Sequence, residues 1–223
     1  MSAPRIALVH AVAPAMAPIH AALDRLWPRA QRSNLLDDGL PAALEREGGI
    51  TEAIRARILR LAQHAAADAQ GVLFTCSAFA PAIDAAAAQL PLPVLKPDDA
   101  MFAEAIACGH RIGMIATFAA AVPSMEETFL ARARGLGSAV TIETVCVPEA
   151  MAAARAGDVA RHDRLVADAL PRLAHCDAIL LAHFSTATAL QEVQSRTRQP
   201  VLSAPDSAVR RLRTLVEGAP IPR

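Results

Sequence analysis

The sequence predicts an α/β fold: two pseudo-symmetric lobes, each a mainly parallel four-stranded sheet flanked by helices, with a cleft between them. Two observations carry this. Eight short apolar runs alternate with longer Ala- and Leu-rich, charge-dotted segments, the pattern of parallel strands covered by helices on both faces. The runs also fall into two matching sets of four. Arg111 follows Arg5 by 106 residues, His183 follows Cys76 by 107, and Pro200 follows Pro93 by 107. Cys76 precedes Pro93, and His183 precedes Pro200, by the same 17 residues. Three matches in order at a near-constant offset read as an internal duplication.

The first set of runs is "RIALVH" (5–10), "RSNLLD" (32–37), "GVLFTC" (71–76) and "LPVLKP" (92–97). The second is "RIGMIAT" (111–117), "AVTIETVCV" (139–147), "AILLAHF" (178–184) and "PVLSA" (200–204). Runs this short and this rich in Val and Ile suit strands buried on both faces. Segments such as "DAAAAQL" and "EAMAAARAGD" between them suit helices, because Ala is the best helix former. The expected lobes are 1–100 and 101–204, with a last helix at 205–223 joining the first lobe.

Composition excludes several classes of function. The chain has 223 residues, 53% of them hydrophobic, enough for one large core or two modest ones. Its 22 basic and 22 acidic side chains cancel, so no basic field marks it for nucleic acid. Aromatics make up 3%, with no Tyr, which leaves little to stack on bases. No apolar run approaches the ~18 residues of a membrane helix. The N-terminal "MSAPRIALVHAVAPAMA" loosely resembles a signal peptide, but His10 and Pro14 interrupt its apolar run. The four cysteines form no C-x-x-C and no zinc spacing, and a chain this apolar needs no disulfide staples. The expectation is therefore a cytoplasmic protein without metal or cofactor. Neither nucleic acid nor a membrane is expected as a partner, and homo-oligomerisation is compatible with the sequence. Phosphate-binding glycine loops and a G-x-S-x-G elbow are both absent.

In a parallel α/β sheet, ligands bind beyond the carboxyl ends of the strands. Cys76 and His183 end equivalent strands of the two lobes, so facing lobes would bring both side chains to one cleft. His10, at the end of the first strand, would face the same space. Asn34 and Asp37 could close its rim, and Lys96 could hold a carboxylate or pair with Asp98 or Asp99. Cys108 reads as the end of a helix capped by Gly109, and Cys146 and Cys176 as structural.

The residues around these positions resemble those of the aspartate/glutamate/hydantoin racemase superfamily, which includes maleate isomerases and arylmalonate decarboxylases. "FTCSAF" matches its first-lobe motif at Cys76. "LLAHFSTA" stands where the family usually shows "LLGCT", with His183 in place of the second cysteine. "IATFAAAVPS" at 115–124 resembles the family's "GT…T…S" loop: Thr117 and Ser124 fit, while Ala119, Ala120 and Ala121 leave the middle threonine unfilled. The similarity spans essentially the whole chain. It implies two pseudo-symmetric lobes, no cofactor, and two groups flanking the substrate's α-carbon.

That chemistry explains the residue types. Removing a proton beside a carboxylate creates a doubly negative enediolate, which needs donors placed in advance. Thr75 and Ser77 beside Cys76, Thr117, and Ser185 and Thr186 after His183 are the candidate substrate-binding donors. Cys76 and His183 are the candidate catalytic pair. A free thiol has a pKa of about 8.5, and a helix N-terminus or a His near Cys76 would lower it. A Cys–His pair is asymmetric, so three readings stand: a cofactor-independent racemase, epimerase or isomerase acting alpha to a carboxylate or carbonyl; a decarboxylase of arylmalonate type using one cysteine; and a non-catalytic small-acid binding protein.

Overall fold

The computed structural model describes residues 3–218. The described residues divide into two compact units: one runs to Asp98 and resumes at Ala208, and the other is Asp99–Ser207. The part of the expected last helix at 219–223 lies outside the described residues.

In the first unit the order is β1 (Arg5–His10), α1 (Met16–Leu26), β2 (Gln31–Leu36), α2 (Gly39–Glu47), α3 (Glu52–Ala66), β3 (Gly71–Phe74), α4 (Ala80–Ala87) and β4 (Val94–Leu95). The sheet order is β2-β1-β3-β4 and every pairing is parallel. β3 is buried along its whole length and β1 after its first residue, as strands covered on both faces must be. One face carries a core in which Ala7, Val9, Val72 and Phe74 meet Leu40, Ile54, Ile58, Phe79 and Ile83. α3 starts where Thr51, in extended conformation, turns its hydroxyl oxygen to accept from the Ile54 N–H.

The second unit repeats the plan: α5 (Asp99–Cys108), β5 (Arg111–Ala116), α6 (Val122–Gly135), β6 (Thr141–Cys146), α7 (Pro148–Arg155), α8 (Val159–Ala167), β7 (Ala178–Leu181), α9 (Leu190–Ser195) and β8 (Val201–Ser203). Its sheet order, β6-β5-β7-β8, is again all parallel. Ile115, Ile179, Leu181 and Val201 face Val166, Leu170, Leu190 and Val193. Phe102 and Phe129 meet edge to face, centroids 5.5 Å apart, which ties α5 to α6.

α10 (Ala204–Glu217) begins directly after β8, and its later turns pack on β3. A Cβ at Gly71 would lie 2.8 Å from Leu212 Cδ1 and 3.1 Å from Val216 Cγ2, so α10 lies close against the strand there. The helix end is held by Glu217, whose carboxylate accepts from Trp27 Nε1 at 2.7 Å and from Arg29 Nη2 at 2.6 Å. Arg213 adds a bond from Nη1 to the Leu26 carbonyl at 3.0 Å.

The eight predicted strands are all present, within a few residues of their expected ends. Gly109 differs from expectation. α5 does end at Cys108, but Gly109 does not adopt the left-handed cap conformation. It is small because a Cβ there would sit 2.4 Å from the Asp177 Cβ. Asp177 Oδ2 accepts from the backbone N–H groups of His110 and Arg111, both at 2.8 Å, and so opens β5. Among the described residues no helix is long and apolar enough to cross a membrane.

Candidate active site

In the first unit, chemistry gathers at the carboxyl ends of β1, β2 and β3. Phe74 ends β3, and Thr75 and Cys76 lead into a turn of 3-10 helix, Ser77–Phe79, that continues into α4. His10, at the end of β1, is fully buried, and both its ring nitrogens are engaged. Nδ1 lies 2.9 Å from Thr75 Oγ1, and Nε2 lies 3.0 Å from Asn34 Oδ1 at the end of β2. Asn34 Oδ1 also meets His20 Nε2, from α1, at 2.7 Å. An oxygen shared by two imidazoles accepts from both, so His10 carries its proton on Nε2 and its Nδ1 accepts from Thr75. The network holds Thr75, and with it the strand end that presents Cys76. His20 escaped the sequence reading because a lone His on a helix carries no spacing signal.

Cys76 is half-buried and lines a pocket of about 600 Å3 together with Pro41, Leu44, Glu45, Gly48, Ile50 and Phe79. The walls are mostly apolar, no lining residue is cationic, and the one ionisable neighbour of Cys76 among them is Glu45. Burial pushes the Cys76 thiol above its ordinary 9.0; the Ala78 backbone N–H opposes this, and the Asp98 carboxylate adds to it. The expected lowering by a helix N-terminus is therefore outweighed: one backbone donor does not offset burial next to a carboxylate. Ser77 is exposed on its turn. Asp37 is held by Arg57 through bonds of 2.7 and 2.5 Å, and Lys96 pairs with Asp84 of α4 at 2.9 Å, a partner the sequence did not suggest.

In the second unit the corresponding edge holds His183, two residues beyond β7. It has φ of 69°, the one left-handed backbone among the described non-glycine residues. Such a conformation costs about 1–2 kcal/mol for a residue with a Cβ, and is kept where surrounding structure demands it. Thr186 does part of that work, its hydroxyl donating to the His183 carbonyl at 2.9 Å. Ser185 is half-buried in the same turn. The His183 Nε2 is buried without a hydrogen-bond partner in the protein, and burial pushes the imidazole below its ordinary 6.5. Two further buried polar atoms lack partners: Thr117 Oγ1, just beyond β5, and Ser203 Oγ, the last residue of β8. Ser203 was missed because a lone serine closing an apolar run looks like a turn residue.

No cluster of three His, Cys, Asp or Glu suited to a metal ion occurs among the described residues. The family model described as Asp/Glu/Hydantoin racemase matches residues 36–146, a span that contains Cys76 and Thr117. The chain carries an Asp/Glu/hydantoin racemase domain. The match covers just under half of the chain. Solved racemase structures share the architecture. Allantoin racemase from Klebsiella pneumoniae superposes with a TM-score of 0.73 at 17% identity, covering 98% of this chain and 90% of its own. For glutamate racemase from Bacillus anthracis the values are 0.70 and 14%, with 98% and 83% covered. Arylmalonate decarboxylase gives 0.65 and 20%, with 97% and 94% covered. Identities this low establish the common fold alone. None of the curated proteins compared matches the chain.

Proposed function

We propose that the protein is a cofactor-independent racemase or epimerase that acts at the carbon alpha to the carboxylate of a small acid with an apolar substituent. Cys76 and His183 are the two acid–base groups. The observation that carries this reading is His183: it takes the matched position to Cys76 in the duplicated plan, on a left-handed backbone, with its Nε2 buried and unpartnered. A strained residue presenting an orphaned nitrogen is what a poised base looks like, since buried polar side-chain atoms are mostly paired.

The directions of the two pKa shifts give the pair a polarity. Near neutral pH it rests as neutral imidazole and thiol. The imidazole takes the α-proton, so the C–H bond breaks as an N–H bond forms and the electron pair enters the enediolate. The Cys76 S–H then protonates the opposite face, leaving thiolate and imidazolium. From that state the reverse turnover runs, with thiolate as base, or exchange with solvent resets the pair. The apolar pocket beside Cys76, with Glu45 on its wall, favours an alkyl or aryl substituent over a second carboxylate.

A second reading rests on the same raised thiol. A thiol that stays protonated suits one-way proton delivery after carbon dioxide leaves a malonate-like acid, its bonding pair remaining on the α-carbon. Both are tested by giving single enantiomers of 2-substituted apolar acids, and the matching malonates, to the enzyme in deuterated water. α-Deuteration with loss of optical rotation supports the racemase, and carbon dioxide release supports the decarboxylase. Neither outcome with any of them refutes catalysis at an α-carbon.

A further inference from the structure

A left-handed residue with a Cβ relaxes unless its surroundings hold it, and His183 is such a residue. The segment after it is a turn of 3-10 helix, Ser185–Ala189, and two hydroxyls tie that turn down. Thr186 donates to the His183 carbonyl at 2.9 Å. Thr188 donates to Asp163 Oδ1 at 2.7 Å and so fastens the far end of the turn to α8. The same carboxylate oxygen lies 2.7 Å from Nδ1 of His162, a buried residue. A carboxylate only accepts, so His162 carries its proton on Nδ1 and donates it there. α8 is a firm base for this contact, because its Val166 and Ala167 share the core with Leu181 of β7 and with Leu190.

The duplicated plan shows that the contact is not a general requirement of such turns. α3 and α8 start from N-caps 107 residues apart, Thr51 and Asp158, the same offset that relates Cys76 to His183. At that offset Asp163 matches Ala56, Thr186 matches Phe79 and Thr188 matches Pro81. The Cys76 turn is thus held by packing: Phe79 is buried in the core, and Pro81 fixes its own φ at the start of α4. The His183 turn has a polar side chain at all three places. A short bond to a carboxylate is charge-assisted and directional, so it sets the position of a turn more narrowly than apolar contact does.

We infer that Asp163 is a positioning residue for the proposed reaction: through Thr188 it clamps the turn after β7 and keeps His183 left-handed, with Nε2 buried. The inference rests on the proposed function only in making His183 the base. The clamp itself is a property of the turn, and it can be read without any substrate.

The readout is the titration of the His183 ring in the full chain, followed by NMR and assigned by the signal missing from His183→Asn. Burial is the one cause that lowers this group from 6.5. Thr188→Val leaves the Asp163–His162 bond in place and cuts the turn loose, so water reaches the ring and its midpoint should rise towards 6.5. The acid limb of α-exchange should rise with it, and kcat should fall roughly tenfold or more with KM nearly unchanged, as for a misplaced base. Asp163→Ala should do the same; should it fail to fold, Thr188→Val carries the test alone. Asp163→Asn keeps an accepting oxygen and Thr188→Ser keeps the hydroxyl, so both should titrate as the wild type does. Val166→Ala, a core truncation on the same helix, should lower Tm and leave the His183 midpoint where it was. An unmoved midpoint in Thr188→Val, or an equal rise in Val166→Ala, would overturn the inference. A midpoint that moves as expected in a protein without α-exchange would refute the reaction and leave the clamp standing. Exchange in the wild type with a midpoint indifferent to Thr188→Val would do the reverse.

Discussion

At the scale of single residues, the pair of shifted groups sets the pH dependence. His183 must be neutral to accept a proton, and its pKa is lowered from 6.5. Activity should therefore hold as pH falls through 6.5 and fail only below it. Cys76 must carry its proton, and its pKa is raised from 9.0, so the alkaline limb should begin above 9.0. A pH–rate profile for α-exchange with a plateau at least that wide is expected, and a limb inside it would mean other groups control the step. Cys76→Ser and His183→Asn should each remove most exchange, with the double variant little worse, because such groups act as a unit. The left-handed backbone makes a separate prediction. His183→Gly should be about 1 kcal/mol more stable than His183→Ala by chemical denaturation, since glycine adopts φ of 69° without strain. The position of Cys76 was legible in the sequence from the apolar run before it and from the duplicate at His183. The upward shift of its thiol was not, because it depends on Asp98, 22 residues further along the chain, and on burial.

At the scale of elements, strands were easier to read than their surroundings. β1, β3, β5 and β7 are continuous apolar runs because both faces of a parallel sheet are covered. β4 is only two residues long, and its apolar neighbours Leu92 and Pro93 made it look longer. Gly109 was misread because its reason is a distant side chain, whereas a cap is a local one. Gly109→Ala should cost about 2 kcal/mol or more, since the obstacle is the Cβ of Asp177, and moving it would disturb the carboxylate that opens β5. Gly71→Ala should cost less, because the atom in the way is the flexible end of Leu212. Melting curves of the two variants would show that order. The end of α10 titrates. Burial would raise the Glu217 pKa, but bonds from Arg29, Arg213 and Trp27 overcome it and hold the value at about 2, against the ordinary 4.5. A depressed carboxyl stabilises the fold above its unfolded pKa. That contribution should be intact above pH 4.5 and vanish as pH falls towards 2, and the acid limb should be shallower in Glu217→Gln.

At the scale of the molecule, one unit is continuous in sequence and the other is not. Asp99–Ser207 is a single stretch, whereas the unit that contains Cys76 resumes only at Ala208. The ribosome therefore makes most of the Cys76 unit first and completes it last. Until residues 208–217 emerge, Gly71 lacks Leu212 and Trp27 lacks Glu217, so the part of the sheet around Gly71 lacks its α10 cover while the whole second unit is synthesised. At about 5–20 residues per second, those ~110 residues take roughly 5–20 s. For that interval the nascent chain presents a bare apolar surface of the kind that chaperones and proteases engage. Stalled chains ending at Ser207 should accordingly be protected from proteolysis at β5 and β7 and open to it at β1 and β3.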